Sequence, residues 1–161
     1  MNMRKINLKL LFDSGQLTSA ANSPFSEDSS SDGIEALFDG NDDTSLVFNN
    51  IVGDEVARPI LTFEPALLTK KILIRVGTRQ CNIAQITINN DLTTAQSDIF
   101  TTTDGALIIS SFTFNVNRLS QINITTGDPF SADHFISFIE LFIVEESDSL
   151  AIEFNDSVLS T

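Results

Sequence analysis

The chain predicts an all-β fold, an antiparallel β-sandwich, on three observations. Apolar residues recur at every second position in one run after another, clusters of turn formers separate the runs, and only one short stretch reads as helix. A strand turns successive side chains to opposite faces, so alternation of this kind marks a ribbon with one buried face. With 161 residues, 42% of them apolar, the chain lies in the range of a single domain. That length buries one core without disulfide or zinc staples.

In chain order, Ile6, Leu8, Leu10 and Phe12 form the first alternating run, closed by the turn cluster Asp13-Ser14-Gly15. Residues 23 to 32, with serines at 26, 29, 30 and 31, read as a surface loop. Asp32 is a candidate N-cap for one short helical turn over Gly33 to Phe38. Pro59 and Pro65 bracket Ile60 to Glu64, and because proline has no N–H to give to a ladder, the segment suits the end or edge of a sheet. Ile72/Ile74/Val76, Ala84/Ile86/Ile88, Phe112/Phe114/Val116 and Ile122/Ile124 continue the alternation. Turn clusters at Asn89-Asn90-Asp91, Thr103-Asp104-Gly105 and Gly127-Asp128-Pro129 part them. Phe135 to Val144 is apolar on both faces except for Ser137 and Glu140, which predicts a central strand. Residues 1 to 146 are thus expected to form the sandwich. Residues 147 to 161, with Leu150/Ile152/Phe154 after a polar break, form a strand-like extension that either docks on a partner or completes a sheet of its own domain.

Charge and composition exclude several classes. Nine basic against twenty-two acidic side chains leave a net charge of −13, which repels phosphate backbones, so no nucleic-acid partner is expected. Cys81 is alone, offers neither a disulfide nor a zinc knuckle, and reads as a small buried hydrophobe. Asn7 and Lys9 interrupt the apolar stretch behind Met1 to Lys5, so no secretion signal is expected. The run from Phe135 to Val144 is too short to cross a bilayer as a helix, and no membrane insertion is expected. His134, the single histidine, stands in a loop-like Ser-Ala-Asp-His segment without a Gly-x-Ser-x-Gly elbow, and reads as a surface residue. No glycine precedes a Lys-Ser or Lys-Thr pair, so a phosphate-cradling loop is missing too, and the chain is not expected to be an enzyme.

Residues 36 to 48, Ala-Leu-Phe-Asp-Gly-Asn-Asp-Asp-Thr-Ser-Leu-Val-Phe, combine oxygen donors, a forced turn and the start of a strand. Asp39, Asn41, Asp42 and Thr44 set hard oxygen donors around Gly40, the kind of loop in which a calcium ion collects side-chain and carbonyl oxygens. An Asx-type turn that binds no ion accounts for the same residues.

The order of these features resembles the discoidin, or coagulation-factor C-type, family. Ser29-Ser30-Ser31 followed by Ala36 to Thr44 is similar to its serine-rich lead and Ala-x-x-Asp-Gly-x-x-x-Thr loop. Ile60-Leu61-Thr62-Phe63, Ile72 to Val76 and Leu119 to Thr125 resemble successive strands, and Phe138-Ile139-Glu140-Leu141 its closing Ile-x-Glu-Leu strand. The likeness spans roughly residues 15 to 146. It implies a jelly-roll β-sandwich of the galactose-binding-domain-like type. It also implies a structural calcium held by Asp39, Asp42, Thr44 and Glu140, with the carbonyls of Ala36 and Asn41 as supplements. Glu140 paired with Arg75 or another cation is the alternative.

Ligand contacts are scarcer. The chain has thirteen Phe and no Trp or Tyr. Phe12, Phe63, Phe112, Phe114, Phe138 and Phe142 lie on alternating strand faces and read as core, whereas Phe25 and Phe130 stand in polar loops as candidate ligand platforms. Arg118, with Arg58 and Arg79, is a candidate polar contact. Two functions follow. The first is a non-catalytic assembly module, a structural component of a virus or phage particle such as a tail, baseplate or capsid accessory protein. Its partners would be other subunits of an oligomeric assembly, and its location a virion assembled in the host cytoplasm. That expectation joins a start at Met1, no export signal, no attached enzyme and extra strand-like sequence at the C-terminus. The alternative is a calcium-dependent carbohydrate-binding module that meets glycans outside the cell or on its surface.

Overall fold

The structure is a computed structural model that describes residues 2–21, 32–48, 59–99, 105–127, 133–145 and 159–160. Its elements are β1 (Asn2–Ile6), α1 (Leu8–Ser14), β2 (Leu17–Ala21), a 3-10 turn (Ile34–Leu37), β3 (Leu46–Phe48) and β4 (Pro59–Leu68). There follow β5 (Lys71–Arg79), β6 (Asn82–Ile88), β7 (Asp91–Asp98), β8 (Ile108–Asn115), β9 (Arg118–Gly127), β10 (His134–Glu145) and β11 (Leu159–Ser160). All the strand pairs are antiparallel, in two sheets ordered β11-β1-β10-β5-β8, with β3 also on β10, and β2-β4-β9-β6-β7. This is the all-β antiparallel sandwich that the alternation predicts; the helical turn expected over Gly33 to Phe38 is the 3-10 turn.

The core lies between the sheets. Ile72, Ile74 and Val76 of β5 and Ile139, Leu141 and Ile143 of β10 face Leu61 and Phe63 of β4, Ile83 and Ile86 of β6, and Ile122 and Ile124 of β9 in one buried cluster. Each such side chain contributes about 1.5–3 kcal/mol by leaving water. Cys81 is buried outside this cluster, its thiol 3.7 Å from the Phe135 carbonyl.

Four expectations are corrected. Ile6 to Phe12 is not a strand: the chain leaves β1 at Ile6 and turns into α1, where Asn7 Oδ1 accepts a hydrogen bond from Leu10 N at 3.0 Å and Gly15, at φ 85°, closes the end in the left-handed region. Period-two spacing of Leu8 and Leu10 is outweighed there by Leu8 and Leu11, three apart, which face the core from one side of the helix. Asp32 does not cap the 3-10 turn. Gly33 stands at that place, and Asp32 Oδ2 instead accepts from Ser45 N at 2.9 Å. β4 is an interior strand that runs through Pro65; it tolerates the proline because its register with β9 slips between Thr62 and Leu67, where no ladder N–H is needed. His134 is no surface residue. It opens β10 fully buried, its Nδ1 2.6 Å from Thr126 Oγ1.

β7, whose sequence Asp-Leu-Thr-Thr-Ala-Gln-Ser-Asp shows no apolar alternation, was not legible as a strand. It is an edge strand next to β6 and buries neither face. Of the C-terminal extension, Ser160 and Leu159 pair with Lys5 and Ile6 of β1; Leu150, Ile152 and Phe154 lie outside the described residues.

Candidate functional site

The central strand β10 has β5 along one edge and two short strands end to end along the other. β1 pairs with Phe142 to Glu145 and β3 with His134 to Ile136, so neither ladder reaches Ser137 to Leu141. An open cleft of about 460 Å³ lies there. Phe138 and Glu140 form part of its lining, with Lys5 and Asn7 where the chain turns off the sheet, Phe38 and Asp42 from the 3-10 turn and the loop after it, and Arg75 and Ile109 from the neighbouring strands.

Charge is ordered across this cleft. Arg75 and Glu140 are cross-strand partners, and Arg75 Nη1 donates to Glu140 Oε1 at 2.8 Å. Lys5 Nζ reaches Glu140 Oε2 at 2.9 Å, so one carboxylate sits between two cations. The side chains are 35%, 21% and 46% exposed for Arg75, Glu140 and Lys5, which leaves the row open to a ligand and limits its value to stability, about 0–1 kcal/mol per exposed pair. Lys9, at the near end of α1, donates to Asp13 Oδ1 at 2.7 Å, and that hydrogen bond raises its pKa.

An apolar floor adjoins the row. A register shift between Ile136 and Phe138 sets the Phe138 ring on Gly77 of β5, where a Cβ would stand 2.4 Å from Phe138 Cε2. A glycine is therefore required for the ring to lie against the sheet. Phe38 faces Phe12 at a centroid distance of 5.6 Å with ring planes tilted by 42°.

The sequence-predicted site residues separate into groups. Asp39, Asn41, Asp42 and Thr44 share one exposed loop, tied by Asn41 N to Asp39 Oδ1 at 2.8 Å, Asp43 N to Asn41 Oδ1 at 3.0 Å and Thr44 Oγ1 to Asp39 Oδ2 at 2.5 Å. The loop and Glu140 meet at one cleft, since Gly40, Asp42 and Glu140 all line it. The donors fit calcium only in part: the loop oxygens are near one another, but Glu140 faces two cations, and among the described residues no three His, Cys, Asp or Glu converge as a metal set. Arg118 is exposed and lines a different hollow, of about 520 Å³, beside the β4 slip, with Glu64, Asn90 and Gln121. Phe25 and Phe130, like Arg58, lie outside the described residues. Arg79 donates to the Gly105 and Asp42 carbonyls at 3.2 and 3.5 Å.

Lys5, Asn7, Phe38, Arg75 and Phe138 are the cleft residues that sequence reasoning did not single out together. A usable signal was present for one of them: Arg75 inside Ile72 to Val76, like Glu140 inside Phe138 to Ile143, is a lone charge in the middle of an apolar strand. Which strands neighbour each other is what joins them.

No protein-family model and no curated protein sequence matches the chain. Among solved structures, it is similar to the family 32 carbohydrate-binding module of Clostridium perfringens NanJ, solved in complex with galactose. That match has a TM-score of 0.56 and 16% identity, and covers 88% of this chain and 99% of that one. A second similar structure is another Clostridium perfringens module, CpGH89CBM32-5, in complex with GalNAc-β-1,3-galactose, at a TM-score of 0.51 and 12% identity, over 79% of this chain and 95% of that one. At these identities the structural likeness shows a shared fold alone, the galactose-binding-like β-sandwich that the sequence resemblance implies. Both structures are carbohydrate-binding modules, and that overturns the expectation of a virus-particle assembly component.

Proposed function

We propose that the chain is a non-catalytic glycan-binding β-sandwich whose ligand occupies the cleft beside β10. One observation carries the reading: the cleft is lined by Phe138, packed on Gly77 and 8% exposed, beside the Lys5–Glu140–Arg75 row. A pyranose presents an apolar C–H face and a rim of hydroxyls, and such a site offers a ring for the first and charged donors and acceptors for the second. About 460 Å³ suits one or two sugar units. The fold shared with modules solved with galactose and a galactose-containing disaccharide supports the same class. A glycan ligand of this kind would be met outside the cell or on its surface.

Binding to an array of glycans, followed by titration of the hits by heteronuclear NMR, tests it. Expected is at least one glycan that shifts the amides of Phe138 to Glu140 and Lys5, with binding weakened about tenfold or more by Glu140→Gln at unchanged fold. An array without hits, or shifts confined to other loops, rejects the site.

A further inference from the structure

The sheet that holds β4, β9 and β6 carries the other hollow, of about 520 Å³. It lies where the register of β4 on β9 slips between Thr62 and Leu67. Glu64, Pro65 and Ala66 wall it on one side, the β6–β7 turn at Asn89 and Asn90 walls it on the other, and the start of β9 lies between. Thr62 and Gln121 are cross-strand partners, and their chain neighbours Leu61 and Ile122 are buried in the core, so both side chains face away from it into the hollow. No residue lines both this hollow and the cleft beside β10.

Hydrogen bonds fix both walls. On the β4 side Gln16 holds the slip at two points: its Nε2 donates to the Pro65 carbonyl at 3.0 Å, and its own carbonyl accepts from Glu64 N at 2.9 Å. On the turn side Asn89 Oδ1 accepts from Ser120 N at 2.8 Å and from the Ser120 hydroxyl at 3.0 Å, while Asn89 Nδ2 donates to the Arg118 carbonyl at 2.8 Å. Walls held in this way lose little freedom when a ligand enters. The side chains of Arg118, Glu64 and Asn90 take no part in these bonds, and among the described residues they make no ion pair or hydrogen bond. In the cleft beside β10, by contrast, Lys5, Lys9 and Arg75 are each engaged by a carboxylate.

The uncommitted groups set the chemistry of a ligand. A guanidinium only donates and a carboxylate only accepts, whereas the Asn90 amide and the Thr62 hydroxyl do both. Arg118 and Glu64 are the charged residues of the lining, one of each sign, so the hollow calls for no counter-ion. Adjacent hydroxyls of a sugar meet both demands, because one accepts from the guanidinium while its neighbour donates to the carboxylate, and hydrogen bonds to charged groups are the stronger kind. Phe63, the aromatic residue of the lining, is buried in the core, which leaves the hydroxyl rim and not the C–H face to be recognised.

We propose that this hollow is a second ligand site, for a neutral polyhydroxylated ligand: a sugar unit whose adjacent hydroxyls bridge Arg118 and Glu64. It stands whether or not the cleft beside β10 binds a glycan.

Heteronuclear NMR of the full chain, titrated to high millimolar concentration with galactose, glucose and mannose and separately with glycine, tests this. Expected is at least one hexose that shifts the amides of Ala66, Asn90 and Gln121 along a saturating curve. Arg118→Met and Glu64→Gln, both at exposed positions, keep the fold and should each weaken that binding about tenfold, whereas Glu140→Gln should leave it unchanged. Hexoses that leave these amides still, or that move them equally in both variants, overturn the site. Glycine bound in place of every hexose overturns it as a sugar site, since a zwitterion also spans opposite charges. Shifts at Phe138 to Glu140 alone reject this site and leave the cleft standing; shifts at the hollow alone do the reverse.

Discussion

Asp91, at the β6–β7 turn, shows how a single residue writes its contacts into a measurable property. The Thr93 hydroxyl and the Thr93 N–H both donate to Asp91 Oδ1, at 2.7 and 2.9 Å, and these hydrogen bonds, the hydroxyl's first, lower its pKa. A group with a depressed folded pKa adds stability that is present above its unfolded value and lost as the pH falls through the folded one. An NMR titration should therefore give Asp91 a midpoint below that of an unstructured aspartate, and Thr93→Val should move it up. An unshifted midpoint in the intact chain would contradict the contact. Calcium held by Asp39, Asp42 and Thr44 without Glu140, the fourth ligand that the family resemblance implies, is tested at the same scale. We expect a chelator to lower the melting temperature, Asp39→Ala to remove the difference and Glu140→Gln to keep it, because Glu140 is engaged by Lys5 and Arg75. Identical melting curves with and without chelator reject the ion.

Among the elements, β10 decides the site. Its apolar character on both faces was readable, and with it its central place, but the cleft exists because β1 and β3 are each too short to cover its edge. Strand length along a shared edge depends on where each partner ends. Asn7 ends β1 in favour of a helix that Gly15 closes, and both are ordinary capping residues that an alternating reading of Ile6 to Phe12 passes over. β5 contributes through Gly77. Replacing it with alanine drives a Cβ into the Phe138 ring, and overpacking of this kind costs about 1–3 kcal/mol. Denaturant unfolding of Gly77→Ala should show that loss together with weakened ligand binding, since the ring is lifted from the floor. Full stability with the glycine replaced would mean that the ring moves aside freely. β9 is held by Asn89, whose side chain accepts from Ser120 N at 2.8 Å and donates to the Arg118 carbonyl at 2.8 Å beside the β4 slip. An Asn-Asn pair read simply as a turn thus also repairs a ladder.

At the level of the whole molecule, a ligand that binds the folded sandwich stabilises it by mass action. At a hundredfold excess over its Kd the gain is about 2.7 kcal/mol. For a chain of this length that corresponds to a melting temperature higher by roughly 5–10 °C. A glycan identified on the array that fails to raise the melting temperature at high concentration would show that it does not bind the folded sandwich. Two sheets, their apolar faces and the sandwich class were settled by sequence alone, because side-chain periodicity and turn chemistry are local properties that every strand carries in itself. The loop of Asp39 to Thr44 was legible for the same reason. Tertiary structure alone decided that Lys5, Arg75 and Glu140 form one row, that Phe138 rests on Gly77, and that His134 is buried. Those facts depend on which strands pair and in what register, and hydrogen bonds between residues 65 and 135 positions apart leave no period in the chain.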